Sequence, residues 1–207
     1  GYGDTNNRGD GPNEMGDNLP TVDLGTGKLV KNLGAGYYHT CAILNDDTVK
    51  CWGRGRYGQL GYGDTSNRGD GPNEMGNNLP TVDLGTGKTA KQVVAGAYHT
   101  CAVLNDDTVK CWGYGDYGQL GYGDTNHRGD QANQMGIFLQ TVDLGTVKTA
   151  KQVVAGREHT YNKVTFDVIG NDINLADKFK VMMPGATSGS SLVCDNAKKT
   201  PTKIAPT

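Results

Sequence analysis

The sequence lacks several features by which common protein classes are recognised. The 207-residue chain has no run of roughly 18 apolar residues, so no segment is expected to span a membrane as a helix. Its formal net charge is −2, from 20 basic and 22 acidic side chains, and no window forms the basic stripe that would neutralise a phosphate backbone. Nucleic acid is therefore not an expected partner.

Aromatic residues are also few, at 7%, whereas glycine is abundant, with 32 residues. Such a glycine content favours tight turns and short strands over long helices. No Gly-X-Y repeat is present, which excludes a collagen. The hydrophobic fraction of 35% is low but compatible with a globular core. These features predict an all-β protein.

Internal repetition dominates the chain. Residues 1–60 and 61–120 are identical at about 49 of 60 positions, and a third copy runs from 121 to 160 and then stops. Each copy holds a loop rich in Gly, Asp and Asn, an extended segment, a turn, a strand and a hairpin. Repeats with about four short extended segments bury their faces against neighbouring copies, typically as radially arranged four-stranded sheets.

The most regular part of each copy is a predicted hairpin that carries two cysteines. In the second copy, β-forming residues 100–104 and 108–112 flank a turn at 105–107, which places Cys101 opposite Cys111. Cys41 and Cys51 have the same spacing. We expect the disulfides Cys41–Cys51 and Cys101–Cys111, the alternative being buried free thiols. Zinc is disfavoured, because one pair per repeat does not bring four ligands together. Disulfides would indicate an oxidising environment, extracellular or at the cell surface.

Several repeated positions carry a recognisable pattern. The second copy has Gly96, His-Thr-Cys-Ala at 99–102, Val109, Trp-Gly at 112–113 and Tyr-Gly-Gln-Leu-Gly at 117–121, with counterparts sixty residues earlier. This pattern resembles the repeat of the regulator of chromosome condensation (RCC1-like) family. The resemblance covers residues 1–160 and implies four-stranded β-propeller blades. The cysteine pairs make the chain similar to secreted, disulfide-bearing members. Fewer than three repeats cannot close a ring of about seven blades.

After Thr160 the repeat pattern ends. Alternating apolar and polar residues predict a small β module at 161–197, and the Lys, Thr and Pro-rich residues 198–207 predict an extended tail. Cys194 is the odd cysteine: it bonds another chain, bonds a segment outside this sequence, or stays free.

Residues associated with catalysis or binding recur in every copy. His39, His99 and His159 occupy one repeat position, which indicates an architectural role, because general base catalysis needs one histidine placed against one nucleophile. The Arg-Gly-Asp triplets at 8–10, 68–70 and 128–130 are interpreted as turn residues rather than adhesive motifs. The oxygen-rich loops fail the EF-hand spacing, which leaves a looser calcium site as an alternative to Asx turns. We expect no enzyme, no metal and no cofactor.

Differences between copies indicate where partner specificity arises. Asn77 and Asn78 correspond to Ile137 and Phe138 in the third copy, an apolar pair that either contacts a partner or packs beneath the third repeat or the tail. The first functional hypothesis is an extracellular structural protein that assembles into a filament, contacting copies of itself or another extracellular protein. The alternative is a protein-recognition propeller module, and guanine-nucleotide exchange is a weaker one.

Overall fold

Antiparallel strands account for nearly all regular structure in the computed structural model. The structure describes residues 1–146, 148–166, 179–182, 192–193 and 202–203, with side chains up to residue 160. The first sheet contains β1 (Val30–Ala35), β2 (His39–Leu44) and β3 (Val49–Gly53). The second contains β4 (Ala90–Ala95), β5 (His99–Leu104) and β6 (Val109–Gly113). The third contains β7 (Lys148–Ala155), β8 (Thr160–Phe166) and β9 (Phe179–Met182), and a two-stranded sheet pairs β10 (Leu192–Val193) with β11 (Thr202–Lys203). Short 3-10 turns lie at Gly16–Asn18, Gly76–Asn78 and Gly136–Phe138.

The hairpin that carries the cysteines has the predicted register. Cys101 lies opposite Cys111, and the Leu104 N–H donates to the Thr108 carbonyl at 2.8 Å. Asp107 adopts a left-handed φ of 64°, which aspartate tolerates, and Asp106 accepts a hydrogen bond from the Thr108 hydroxyl at 2.7 Å. Both cysteine pairs are joined as disulfides, which confirms that prediction.

Each of the first two sheets is completed by an extended segment from the following repeat. The Val82 N–H donates to the Val49 carbonyl at 2.8 Å. The Tyr62 hydroxyl accepts from the Cys51 N–H at 2.9 Å and shares its proton between the Cys51 and Pro80 carbonyls, at 2.9 and 3.1 Å. Burial raises the pKa of Tyr62, which keeps that proton in place. The all-β blade architecture is therefore confirmed, with three regular strands and an extended fourth segment where four strands are predicted.

The sheets pack face to face and bury apolar clusters between them. Ile43 and Val49 of the first sheet belong to one cluster with Val93 and Trp112 of the second, and all four are at most 2% exposed. The other face of the second sheet packs in the same way against Val153 and its neighbours in the third. Each fully buried aliphatic side chain contributes about 1.5–3 kcal/mol.

A glycine allows the first strands of neighbouring sheets to approach closely. A Cβ atom on Gly36 would collide with the Gly96 carbonyl oxygen, and that same oxygen accepts a hydrogen bond from the Tyr37 N–H at 3.2 Å. A side chain at this position would therefore separate the two sheets.

The third sheet continues beyond the last recognisable repeat residue. β8 pairs with β7 in the position that β5 has beside β4, with Ala155 opposite Thr160. The boundary predicted after Thr160 thus falls at the start of β8, which ends at Phe166. The division into a module at 161–197 and a tail at 198–207 stays a prediction, and Cys194 lies outside the described residues.

Candidate functional site

Tyrosines from the first two repeats form a linked aromatic cluster, which we call the tyrosine surface: Tyr37, Tyr38, Tyr57, Tyr98, Tyr114 and Tyr117. Tyr38 stacks on Tyr98 with ring centroids 5.6 Å apart and an interplanar angle of 29°. Tyr57 lies 5.4 Å from Tyr98 and 4.8 Å from Tyr114, between centroids. These separations are favoured for aromatic pairs, so the rings hold one another in place across the repeat boundary.

Strand pairing explains why these rings come together. Tyr37 and Tyr38 lie in the turn between β1 and β2, and Tyr57 follows β3. Because His39 pairs with Gly53, both segments emerge at the same end of the sheet. The solvent-exposed fractions of Tyr37 and Tyr38 are 69% and 43%. Packing between the sheets therefore accounts for only part of their placement.

Charged side chains of opposite sign lie at the two ends of the tyrosine surface. The guanidinium of Arg54 lies 5.2 Å from the Tyr38 ring centroid, and that of Arg56 lies 5.6 Å from the centroid of Tyr57. In the second repeat the corresponding residues are Tyr114 and Asp116. Desolvation, together with a hydrogen bond to Asp116 and the charge of that residue, raises the pKa of Tyr114. One end of the surface is thus basic and the other acidic.

Buried histidines anchor the turns that carry the tyrosines. His39 Nε2 lies 2.8 Å from Thr100 Oγ1, and His99 Nε2 lies 2.8 Å from Thr160 Oγ1. The Thr100 hydroxyl donates to the Gln59 carbonyl at 2.8 Å, which leaves its oxygen to accept from His39 Nε2–H. Burial lowers the pKa of His39 and of His99 to about 4, so both rings are neutral at physiological pH. This arrangement agrees with an architectural role.

The oxygen-rich loops use their carboxylates internally. Glu74 Oε2 accepts three backbone N–H groups, from Gly69 at 2.8 Å, Asp70 at 3.1 Å and Gly71 at 2.8 Å. Arg68 of the second Arg-Gly-Asp triplet pairs with Asp64 at 2.7 Å. Among the described residues, no group of three or more His, Cys, Asp or Glu side chains is arranged to hold a metal ion. The triplet is thus part of the internal bonding of the loop.

The third loop differs and lines an open cleft. Gln134 replaces the loop glutamate, and its amide oxygen accepts from the N–H groups of Asp130 and Gln131 at 3.1 and 3.2 Å. The cleft has a volume of about 610 Å³ and is lined in part by His127, Gln134 and Phe138. Sequence differences single out Gln134, but only the structure shows the cleft beside it.

The apolar pair predicted as a contact point lies at this cleft and next to it. Ile137 and Phe138 form part of the 3-10 turn Gly136–Phe138 and are 72% and 61% exposed. His127 connects the cleft to the tyrosine surface, since its ring centroid lies 4.9 Å from that of Tyr114. The contact role of Ile137 and Phe138 stays a prediction.

Family models described as "Regulator of chromosome condensation (RCC1) repeat" match residues 30–59 and 90–119, and a second model of the same description matches residues 46–103. The resemblance inferred from the sequence is thereby confirmed. In the part of the chain that the structure describes, no helix is long and apolar enough to cross a membrane.

Named relatives share these repeats over part of their length. The chain is 35% identical over 130 residues to the ultraviolet-B receptor UVR8 of Arabidopsis thaliana, covering 62% of this chain and 27% of the receptor. It is 32% identical to the probable E3 ubiquitin-protein ligase HERC4 of Homo sapiens, covering 48% of this chain and 9% of the ligase. It is 26% identical to the X-linked retinitis pigmentosa GTPase regulator homolog of Caenorhabditis elegans, covering 87% of this chain and 11% of that protein.

A solved structure agrees on the fold. Prp20p from Saccharomyces cerevisiae, described with its binding properties to Gsp1p and histones, superposes with a TM-score of 0.53 at 16% sequence identity. The match covers 72% of this chain and 34% of Prp20p.

These relatives correct the first functional hypothesis. They are named as a receptor, a ubiquitin-protein ligase and a GTPase regulator homolog, and not as structural subunits. The prediction of an extracellular structural protein that assembles into a filament is therefore wrong. Neither a ring that fewer than three repeats leave unclosed nor the odd cysteine Cys194 specifies what covers an open sheet edge.

Proposed function

The chain carries repeats of the regulator of chromosome condensation family, and we propose that it is a protein-recognition module that binds a partner protein through the tyrosine surface. The observation that carries this proposal is the linked set of exposed and half-buried rings across the first two repeats. Tyrosine and arginine are enriched among the residues that dominate binding energy at protein interfaces. Rings that already hold one another lose little side-chain freedom on binding, which favours affinity.

The module acts without chemistry of its own in this proposal. His39 and His99 are neutral and hydrogen-bonded to threonines, which supports positioning rather than proton transfer. A partner would meet Arg54 and Arg56 at one end of the tyrosine surface and Asp116 at the other, which would fix its orientation. Guanine-nucleotide exchange stays a prediction.

We also propose that the module functions in an oxidising compartment, because it has two disulfides. Alkylation of the native protein before and after reduction, followed by mass measurement, tests this. Four cysteines should be protected before reduction in material from the source cells. Five freely alkylated cysteines would contradict the proposed location.

The binding proposal is tested by comparative capture. The immobilised chain is exposed separately to cell lysate and to extracellular medium of the source cells, and retained proteins are quantified by mass spectrometry. Double substitution Tyr38→Ser with Tyr98→Ser removes the stacked pair and should reduce retention of any specific partner at least about tenfold, equivalent to about 1.4 kcal/mol.

Tyr2→Ser is the matched control, because Tyr2 lies in the first loop beneath Arg8 and outside the tyrosine surface. It should leave retention unchanged. The proposal fails if the double variant, shown to be folded by circular dichroism, retains the same proteins in the same amounts as the wild type.

A further inference from the structure

In the first two loops, backbone N–H groups bind a glutamate carboxylate. In the second loop, the three N–H groups of residues 69–71 converge on one carboxylate oxygen of Glu74 at 2.8–3.1 Å. In the first loop, residues 9–11 bind Glu14 in the same way. Successive N–H groups that point to one place form an anion-binding concavity. Each of these concavities is filled by the chain's own carboxylate.

The third loop keeps this backbone but loses the carboxylate. Gly129 and Asn133 have φ angles of 82° and 63°, close to the 83° and 64° of Gly69 and Asn73, so these turn residues have the same conformation in both loops. Its occupant is the neutral amide of Gln134, which accepts two N–H groups, at 3.1 and 3.2 Å, where Glu74 accepts three. A neutral amide oxygen is a weaker acceptor than a carboxylate, so an external carboxylate can compete for these N–H groups.

The third loop also differs from the other two in its charge and in its exposed apolar residues. Acidic residues number four in residues 1–18, three in 61–78 and two in 121–138, while each loop holds one arginine. Asn77 and Asn78 of the second loop become the exposed Ile137 and Phe138. The third loop is therefore the least acidic of the three and the most apolar at its surface.

We propose that the third-loop cleft binds an acidic segment of a partner protein, whose carboxylate occupies the place that Glu14 and Glu74 fill in the other loops. An apolar residue beside that carboxylate would pack on Ile137 and Phe138. This inference rests on the proposed recognition function, and names the chemistry of its partner. His127, which lines the cleft and contacts Tyr57 and Tyr114, makes the cleft continuous with the tyrosine surface.

Selection from a phage-displayed library of random 12-residue peptides on the immobilised full chain tests this proposal. We expect enriched sequences to contain Asp or Glu next to Leu, Ile or Phe. A synthetic peptide of the consensus sequence should lose at least tenfold in affinity, measured by fluorescence anisotropy, when its acidic residue is changed to the amide.

Variants of the chain locate the binding. Gln134→Glu restores the internal carboxylate and should weaken the consensus peptide at least tenfold, and Phe138→Asn, which introduces the residue found at Asn78, should also weaken it. Leu29→Asn, which removes an exposed apolar side chain outside the cleft, is the matched control and should leave binding unchanged. Thermal unfolding verifies that each variant is folded.

Enriched peptides without an acidic residue, no enrichment at all, or binding that is insensitive to Gln134→Glu would each overturn the inference. Peptide binding that depends on Tyr98 but not on Gln134 would also overturn it while leaving the recognition function standing. Failure of the capture experiment with the Tyr38 and Tyr98 double variant would overturn the recognition function separately.

Discussion

His39 and His99 show how a residue type associated with catalysis serves packing instead. Each is buried, each bonds a threonine in the next repeat, and each directly follows a tyrosine of the tyrosine surface. Burial away from water disfavours the charged form of each ring. The same burial that positions the tyrosines makes the protein sensitive to acid.

Stability should therefore fall as the pH is lowered from about 6.5 to about 4. The folded-state pKa of each histidine is below its unfolded value, so the unfolded chain takes up protons that the folded chain does not. Each histidine should cost up to about 3 kcal/mol across that window. Chemical denaturation at pH 7, 6, 5 and 4 measures the effect.

His99→Gln should lower stability at pH 7, because the bond to Thr160 is altered, but should reduce the loss between pH 6.5 and 4. His127→Asn, which introduces the residue found at Asn67, is the control and should preserve the steep acid dependence. Equal pH dependence in the wild type and in His99→Gln would contradict this account.

At the residue scale, the sequence predicts best those features that recur in every repeat. Three histidines at one repeat position indicate architecture, and two cysteines facing each other indicate a disulfide. The tyrosine surface could not be predicted in the same way, because its contacts join Tyr38 to Tyr98 and Tyr57 to Tyr114 across the repeat boundary. Such contacts depend on how two sheets pack, which the order of residues in one repeat does not specify.

The disulfide hairpin is the element that the sequence determined most completely. Side chains alternate with a period of two, so the turn at residues 105–107 determines the register of every later pair. Because Cys101 and Cys111 are joined across this hairpin, their disulfide restricts the unfolded chain and leaves the tyrosine surface untouched.

Replacing both Cys101 and Cys111 with serine should lower the free energy of unfolding by roughly 2 to 3 kcal/mol, since the closed loop is short. Urea denaturation under non-reducing conditions measures the change, and partner binding should persist at temperatures where the variant is folded. Replacing Cys41 and Cys51 with serine should have a similar effect. Added reductant should destabilise the wild type but not a variant that lacks all four cysteines, and the opposite result would refute the assignment.

At the scale of the whole molecule, equivalent residues have different surroundings according to which sheet covers them. Trp112 is fully buried between the first and second sheets, and its Nε1–H donates to the Gln59 carbonyl at 3.0 Å. Trp52 occupies the same repeat position on the first sheet and is only partly buried. Similarly, Leu33 is 55% exposed while its counterpart Val93 is 1% exposed. The apolar burial that stabilises the fold therefore lies mainly between sheets.

Trp112→Ala should lower the free energy of unfolding by about 3–5 kcal/mol, because it removes a large side chain from the core between two sheets. Trp52→Ala should cost less than half as much, although the two residues are identical and have nearly identical neighbours in sequence. Guanidinium denaturation of the two variants in parallel measures the difference. Equal losses would show that the contact between sheets contributes little.

The segment around Val82 completes the sheet of the preceding repeat. The structural unit of this protein, the blade, therefore does not coincide with the sequence repeat. A cut at residue 60 or 61 follows the repetition of the sequence but would leave the first sheet without its outer segment and without the Tyr62 hydroxyl. A cut near residue 25 or 85 separates whole blades. Copying sixty residues anywhere in the array also supplies the segment that seals the copy before it, so the number of blades can change during evolution without a new sheet edge being left open.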